Sequence, residues 1–176
     1  MTTHARTHVT LIALLACNTI YYIVAGRVSQ ALDSVAWYAL LILFLLETLR
    51  TRPLTTRAQT FNHALRLVAT LAIAASAVLY VREHEWLDAT NLFLWIAVVA
   101  LLEIEIRRPA AVAAHRKAYT LTAALLYAAL AILVMVWLAR GKWMDAWDAA
   151  LWLTAFGLLE MDVLRKDINK ISFKNN

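Results

Sequence analysis

The sequence predicts an all-α polytopic membrane bundle, six transmembrane helices built from three tandem helical-hairpin repeats, and three observations carry that expectation. Apolar residues make up 62% of the 176 and charged residues 16%, where soluble domains carry roughly half and roughly a quarter; the mean hydropathy is +0.64. Six apolar stretches, at residues 9–25, 34–49, 64–81, 88–106, 118–139 and 145–164, each come near the ~20 residues that a hydrocarbon core requires. Lastly, Trp86-Leu-Asp88-Ala recurs as Trp143-Met-Asp145-Ala, Trp95 as Trp152, and Leu-Leu-Glu103 as Leu-Leu-Glu160, always 57 residues apart. Self-similarity at such a period is the mark of a repeated supersecondary unit.

The first stretch follows Arg6 and ends at Val24-Ala25-Gly26, which superficially resembles a signal-peptide cleavage site. However, His8 lies 25 residues before Asp33 just as His63 lies 25 before Asp88, so this helix is expected to be the retained front half of the first hairpin. The second stretch opens at Asp33 and closes on Leu45-Leu46-Glu47, a worn copy of the later motif. Arg52-Pro53 after it is matched by Arg108-Pro109 after the fourth stretch. The repeats then cover approximately 7–53, 61–109 and 115–167 of a single integral membrane domain spanning 1–176. Helices satisfy their own backbone in lipid, and the alternation of a β-barrel strand is absent. Small residues on the third and fifth stretches (Ala72, Ala74, Ala75 and Ala77; Ala123, Ala124, Ala128, Ala129 and Ala131) suit close helix packing.

Charge orients the bundle. Arg6, Arg50, Arg52, Arg57, Arg66, Arg107, Arg108, Arg116, Lys117, Arg165, Lys166, Lys170 and Lys174 fall on one side, and only Arg27, Arg82, Arg140 and Lys142 on the other. The positive-inside rule puts both termini in the cytoplasm of a bacterial inner membrane, with the turns 26–33, 82–88 and 140–145 outward. Trp37, Tyr38, Tyr80, Trp86, Trp137, Trp143 and Trp147 then read as the outer aromatic belt. The net charge of +5 is an orientation signal, and no nucleic-acid partner is expected.

Acidic residues are the candidates for chemistry. Asp33, Asp88 and Asp145 open the second helix of each hairpin, where capping of free N–H groups accounts for them and a carboxylate ring at an outer mouth is the functional alternative. Asn91 and Asp148 follow three residues later, as capping-box partners or lining of a wet outer cavity. Glu47, Glu103 and Glu160 stand at helix ends whose dipole disfavours an anion, with Arg50, Arg107 and Arg165 three to five residues on. They form ion pairs at the interface or converge to bind a cation or substrate amine. Trp95 and Trp152 share the broad face of these acids, while Glu105 and Asp162 point away toward Arg108 and Lys166. Asn18 is read as an interhelical hydrogen bonder, Thr70, Ser76, Thr122 and Thr154 as back-bonded to their own helices, and Cys17 as a small buried residue. The lone cysteine excludes a disulfide framework. His8 and His63 are repeat-equivalent and are the only candidates for a metal or haem; no cofactor is expected.

No nucleophile elbow, phosphate loop, dinucleotide fingerprint or paired-histidine zinc motif is present, so an enzyme is not the favoured class. The expected function is a small transporter or channel-like protein for a cation or small solute. An accessory or scaffold subunit of a larger membrane complex is the first alternative, and an intramembrane lipid-handling enzyme the second. Beyond the lipid bilayer, the partner expected is a second copy or such a complex.

Overall fold

The computed structural model describes residues 3–49 and 56–174; the side chains of residues 3–6, 8, 47–49, 56 and 159–174 lie outside that description. The described chain is entirely helical: α1 (Thr3–Ala25), α2 (Val28–Leu49), α3 (Thr56–Arg82), α4 (Trp86–Arg107), α5 (Pro109–Ala114), α6 (Arg116–Ala139) and α7 (Trp143–Lys174). Among the described residues, four segments are long and apolar enough to cross a membrane: Val28–Leu46, Arg57–Arg82, Trp86–Arg107 and Arg116–Ala139. Val9–Ala25 is a shorter apolar helix. On these spans many large apolar side chains are exposed, among them Val28, Phe61, Leu125 and Met135, as lipid rather than water requires.

Sequence chemistry sets the helix ends. At α2 the Arg27 carbonyl accepts from Ala31 N–H at 2.9 Å, and the Gln30 side chain reaches back to Arg27 N–H at 3.2 Å, half of a capping box. α3 ends with Glu85 N–H on the Tyr80 carbonyl and His84 N–H on that of Val81; α6 ends with Lys142 N–H on Trp137 and Gly141 N–H on Leu138. Both are Schellman closures, which need one left-handed residue: His84 at φ 57 and Gly141 at φ 70. Pro109 starts α5, where its missing N–H is harmless.

Residues 1–14 with 94–176, and residues 15–93, form two compact units. In the second, α2 lies closest to α3, and Ala36 shares one buried core with Ala69, Ile73, Ala77 and Tyr80 of α3 and Ala89 and Leu92 of α4, small residues that let helices approach. In the first, α6 lies closest to α7, and Trp95 and Trp152 both pack on Phe156, with ring centroids 4.7 and 6.3 Å from it. Of the three expected hairpins, only the third is among the closest helix pairs of the described residues.

The first helices of those hairpins bury their side chains in one rhythm. Leu11, Leu15, Asn18 and Tyr22 are buried on α1 and Ala69, Ile73, Ser76 and Tyr80 on α3, at intervals of four, three and four, and Leu130, Leu133 and Trp137 on α6 at intervals of three and four. Tyr80 and Trp137 are therefore core residues and not belt residues, and Cys17 is exposed, not buried. Of the small residues expected to pack, Ala72 and Ala77 join the core, whereas Ala74, Ala75, Ala124, Ala128 and Ala131 are exposed.

Candidate functional site

Two polar clusters lie in the 15–93 unit. The first is built around Asp33, the sixth residue of α2, well inside a candidate span. Its carboxylate is partly buried. Tyr80 donates to Oδ2 at 3.3 Å and Ser76 approaches Oδ1 at 3.4 Å, while the Trp37 side chain, one turn on, also hydrogen-bonds to it. Ser76 has a nearer acceptor in the Ile73 carbonyl at 2.8 Å, and one hydroxyl proton serves one acceptor fully. Among the described residues no Lys, Arg or His stands at ion-pair distance from Asp33. All of its partners are neutral.

The second cluster joins the α1–α2 and α3–α4 turns. The Arg27 guanidinium donates to Glu85 and, at 2.8 Å, to Asp88, and its Nε stands 3.7 Å from Glu83. Ser29, fully buried, donates to Glu83 at 2.6 Å. Burial, the largest single influence on Arg27, works to lower its pKa, but the Glu85 hydrogen bond and the charges of Glu85, Asp88 and Glu83 outweigh it and hold the pKa above its ordinary value. One cation thus faces three carboxylates and ties the two turns together.

The sequence-predicted residues divide accordingly. Asp88 is buried and paired with Arg27, and Asp145 is partly buried; each is the third residue of its helix, whereas Asp33, more than a turn in, caps nothing. Asn91 has an enclosed Oδ1 with no hydrogen-bond partner. Asp148 is partly buried, and Trp95 and Trp152 are core residues. Glu103 is exposed and makes an intrahelical pair with Arg107. The side chains of Glu47 and Glu160 lie outside the described residues. Counted from the helix starts, Glu103 and Glu160 are eighteenth residues and Glu47 a twentieth, so Glu47 sits about 200° around its helix from the other two. Glu105 accepts from Tyr119 at 2.6 Å instead of meeting Arg108.

His63 is exposed and the His8 side chain lies outside the described residues; no group of metal-ligating side chains occurs among those described. Thr70, Thr122 and Thr154 back-bond to Arg66, Ala118 and Ala150. Ser76 back-bonds to Ile73 as expected, whereas the sequence reading gave Ser29, Glu83 and Glu85 no role, used Arg27 for orientation alone and took Tyr80 for the belt. One signal for them existed: two turns assigned to the same membrane face carry opposite charge. No known family, curated protein or solved structure matches this chain. Fold and site together define a helical protein with several membrane-span-like helices.

Proposed function

We propose that the chain is a six-span protein of a bacterial inner membrane, made of three tandem hairpins with both termini cytoplasmic, and that it is a transporter or channel-like protein moving a cation or small solute by way of Asp33. The observation that carries this reading is the carboxylate of Asp33: set inside a span and held by neutral donors, with no Lys, Arg or His of the described residues at ion-pair distance. An acid within a span is costly, and function is the usual reason for keeping one.

Three features support the tandem hairpins. Tryptophan is the tenth residue of α2, α4 and α7, as Trp37, Trp95 and Trp152. The burial rhythm is the same on α1, α3 and α6. The turns after α3 and α6 close through the same hydrogen bonds. In this register Asp33 corresponds to Asn91 and Asp148, and Gln30 to Asp88 and Asp145, a different register from the alignment of Asp33 with Asp88 expected from sequence. Orientation rests on the arginine asymmetry.

Cation flux into proteoliposomes tests the role. Asp33→Asn keeps the shape and removes the charge; flux is expected to fall about tenfold or more, the worth of a hydrogen-bonded charged group. Glu103→Gln, at an exposed ion pair, is expected to leave flux unchanged. Normal flux in the Asp33→Asn protein overturns the assignment.

A further inference from the structure

We propose that the connection between α4 and α6 is a binding surface for anionic phospholipid head groups. α4 ends at Arg107 and α6 begins at Arg116, and both are candidate spans. The segment between them therefore leaves and re-enters the apolar layer on one side and must lie in the interfacial zone. It is α5, Pro-Ala-Ala-Val-Ala-Ala, with no buried residue. A wholly apolar, uncovered turn of helix is stable there because the acyl boundary covers it.

Charge complementarity selects the lipid. Arg108, Arg116 and Lys117 flank α5, all are exposed, and none has a carboxylate at ion-pair distance among the described residues. The two nearby acids are already engaged, Glu103 by Arg107 and Glu105 by the Tyr119 hydroxyl. Three uncompensated cations thus bracket an apolar face of about 9 Å, a match for a phosphodiester above two acyl chains. Zwitterionic lipid supplies the same chains without the net charge. The inference holds for either orientation of the chain and does not use Asp33.

The test is native mass spectrometry of the full-length protein titrated with phosphatidylglycerol or phosphatidylcholine. The wild type is expected to retain phosphatidylglycerol preferentially. The variant Arg108→Gln/Arg116→Gln/Lys117→Gln is expected to lose that preference by about tenfold to a hundredfold, given the known worth of each basic residue near an anionic surface. A control, Arg82→Gln/Arg140→Gln, removes exposed cations from the other turns and is expected to keep it. Because the substituted side chains are exposed, the variants are expected to fold, and unchanged thermal unfolding verifies this; should the triple variant fail, the single variants at Arg116 and Lys117 and a high-salt arm give the same reading. Equal retention of both lipids by the wild type, an unaltered preference in the triple variant, or an equal loss in the control overturns the proposal.

Discussion

Replacing Arg27 by Gln separates an ionic network from a decorative one. Breaking a fully buried ion pair costs about 3–5 kcal/mol, because the surviving charge stays desolvated; an exposed pair is worth about 0–1 kcal/mol. Arg27 falls between. Its side chain is 37% exposed, while Asp88, at 2.8 Å, is 7% exposed and Glu85 25%. Screening at the Arg27 end cuts the buried figure by about half, so the expected loss is about 2 kcal/mol. Part of that loss is repulsion among Glu83, Glu85 and Asp88 once nothing positive stands between them.

The assay is equilibrium unfolding of the purified protein in mixed micelles, read by tryptophan fluorescence. Two controls make the number interpretable. Asp88→Asn in the Arg27→Gln background should restore part of the loss, with a coupling of about 1 kcal/mol. Raising salt should weaken the wild type more than the variant, since only the wild type has attraction left to screen. A loss below about 0.5 kcal/mol, the range of ordinary surface substitutions, or an absent coupling would refute the claim that Arg27 ties the two turns together.

The remaining expectations concern backbone and exposure. His84→Gly should stabilise the protein by about 1 kcal/mol, because a left-handed conformation strains any residue with a Cβ, and Gly141→Ala should destabilise it by about the same amount although a Cβ there meets nothing within 4 Å. Opposite signs in thermal unfolding check the pair; equal signs count against the shared turn geometry. Cys17, exposed at mid-helix on α1, should react with a membrane-permeant maleimide but not with a charged thiosulfonate. Fast labelling by the charged reagent would place that face in water.

Much of the helical class was legible in composition. An apolar excess of this size leaves few alternatives to membrane helices, and the helices now described cover the predicted stretches, with α3 beginning earlier, at Thr56, and α7 ending later, at Lys174. Periodicity predicted which elements form but not which pairs approach. The close α2–α3 contact depends on Ala36 facing Ala69 and Ala77, and matching small faces on two helices cannot be read from either alone. Glu103 pairs with Arg107 as the four-residue spacing allows. The Arg27 network escaped notice because its members lie 56–61 residues apart and join only after two turns fold to the same side.

Residue identity and helix position give two different registers for the proposed repeats. Asp33 was aligned with Asp88 because both are aspartates near a turn, and Glu47 with Glu103 because both end a Leu-Leu-Glu. Residue identity is a poor guide where identity itself is what differs between sites. Helix starts and buried positions are better anchors, since they report backbone hydrogen bonding and packing. Anchored that way, Trp37 joins Trp95 and Trp152, and Tyr22 joins Tyr80 and Trp137, each at a buried or partly buried place. The polar positions then stand out by their differences. Where α2 has Asp33, which accepts from Tyr80, α4 has Asn91 with its oxygen enclosed and without a donor. Ser76 in turn occupies the place of Asn18 on α1 and of Leu133 on α6. Apolar residues fill buried positions at lower cost than polar groups without partners. On the proposed reading these polar differences mark the binding position, and the Asp33→Asn flux measurement is the test of it.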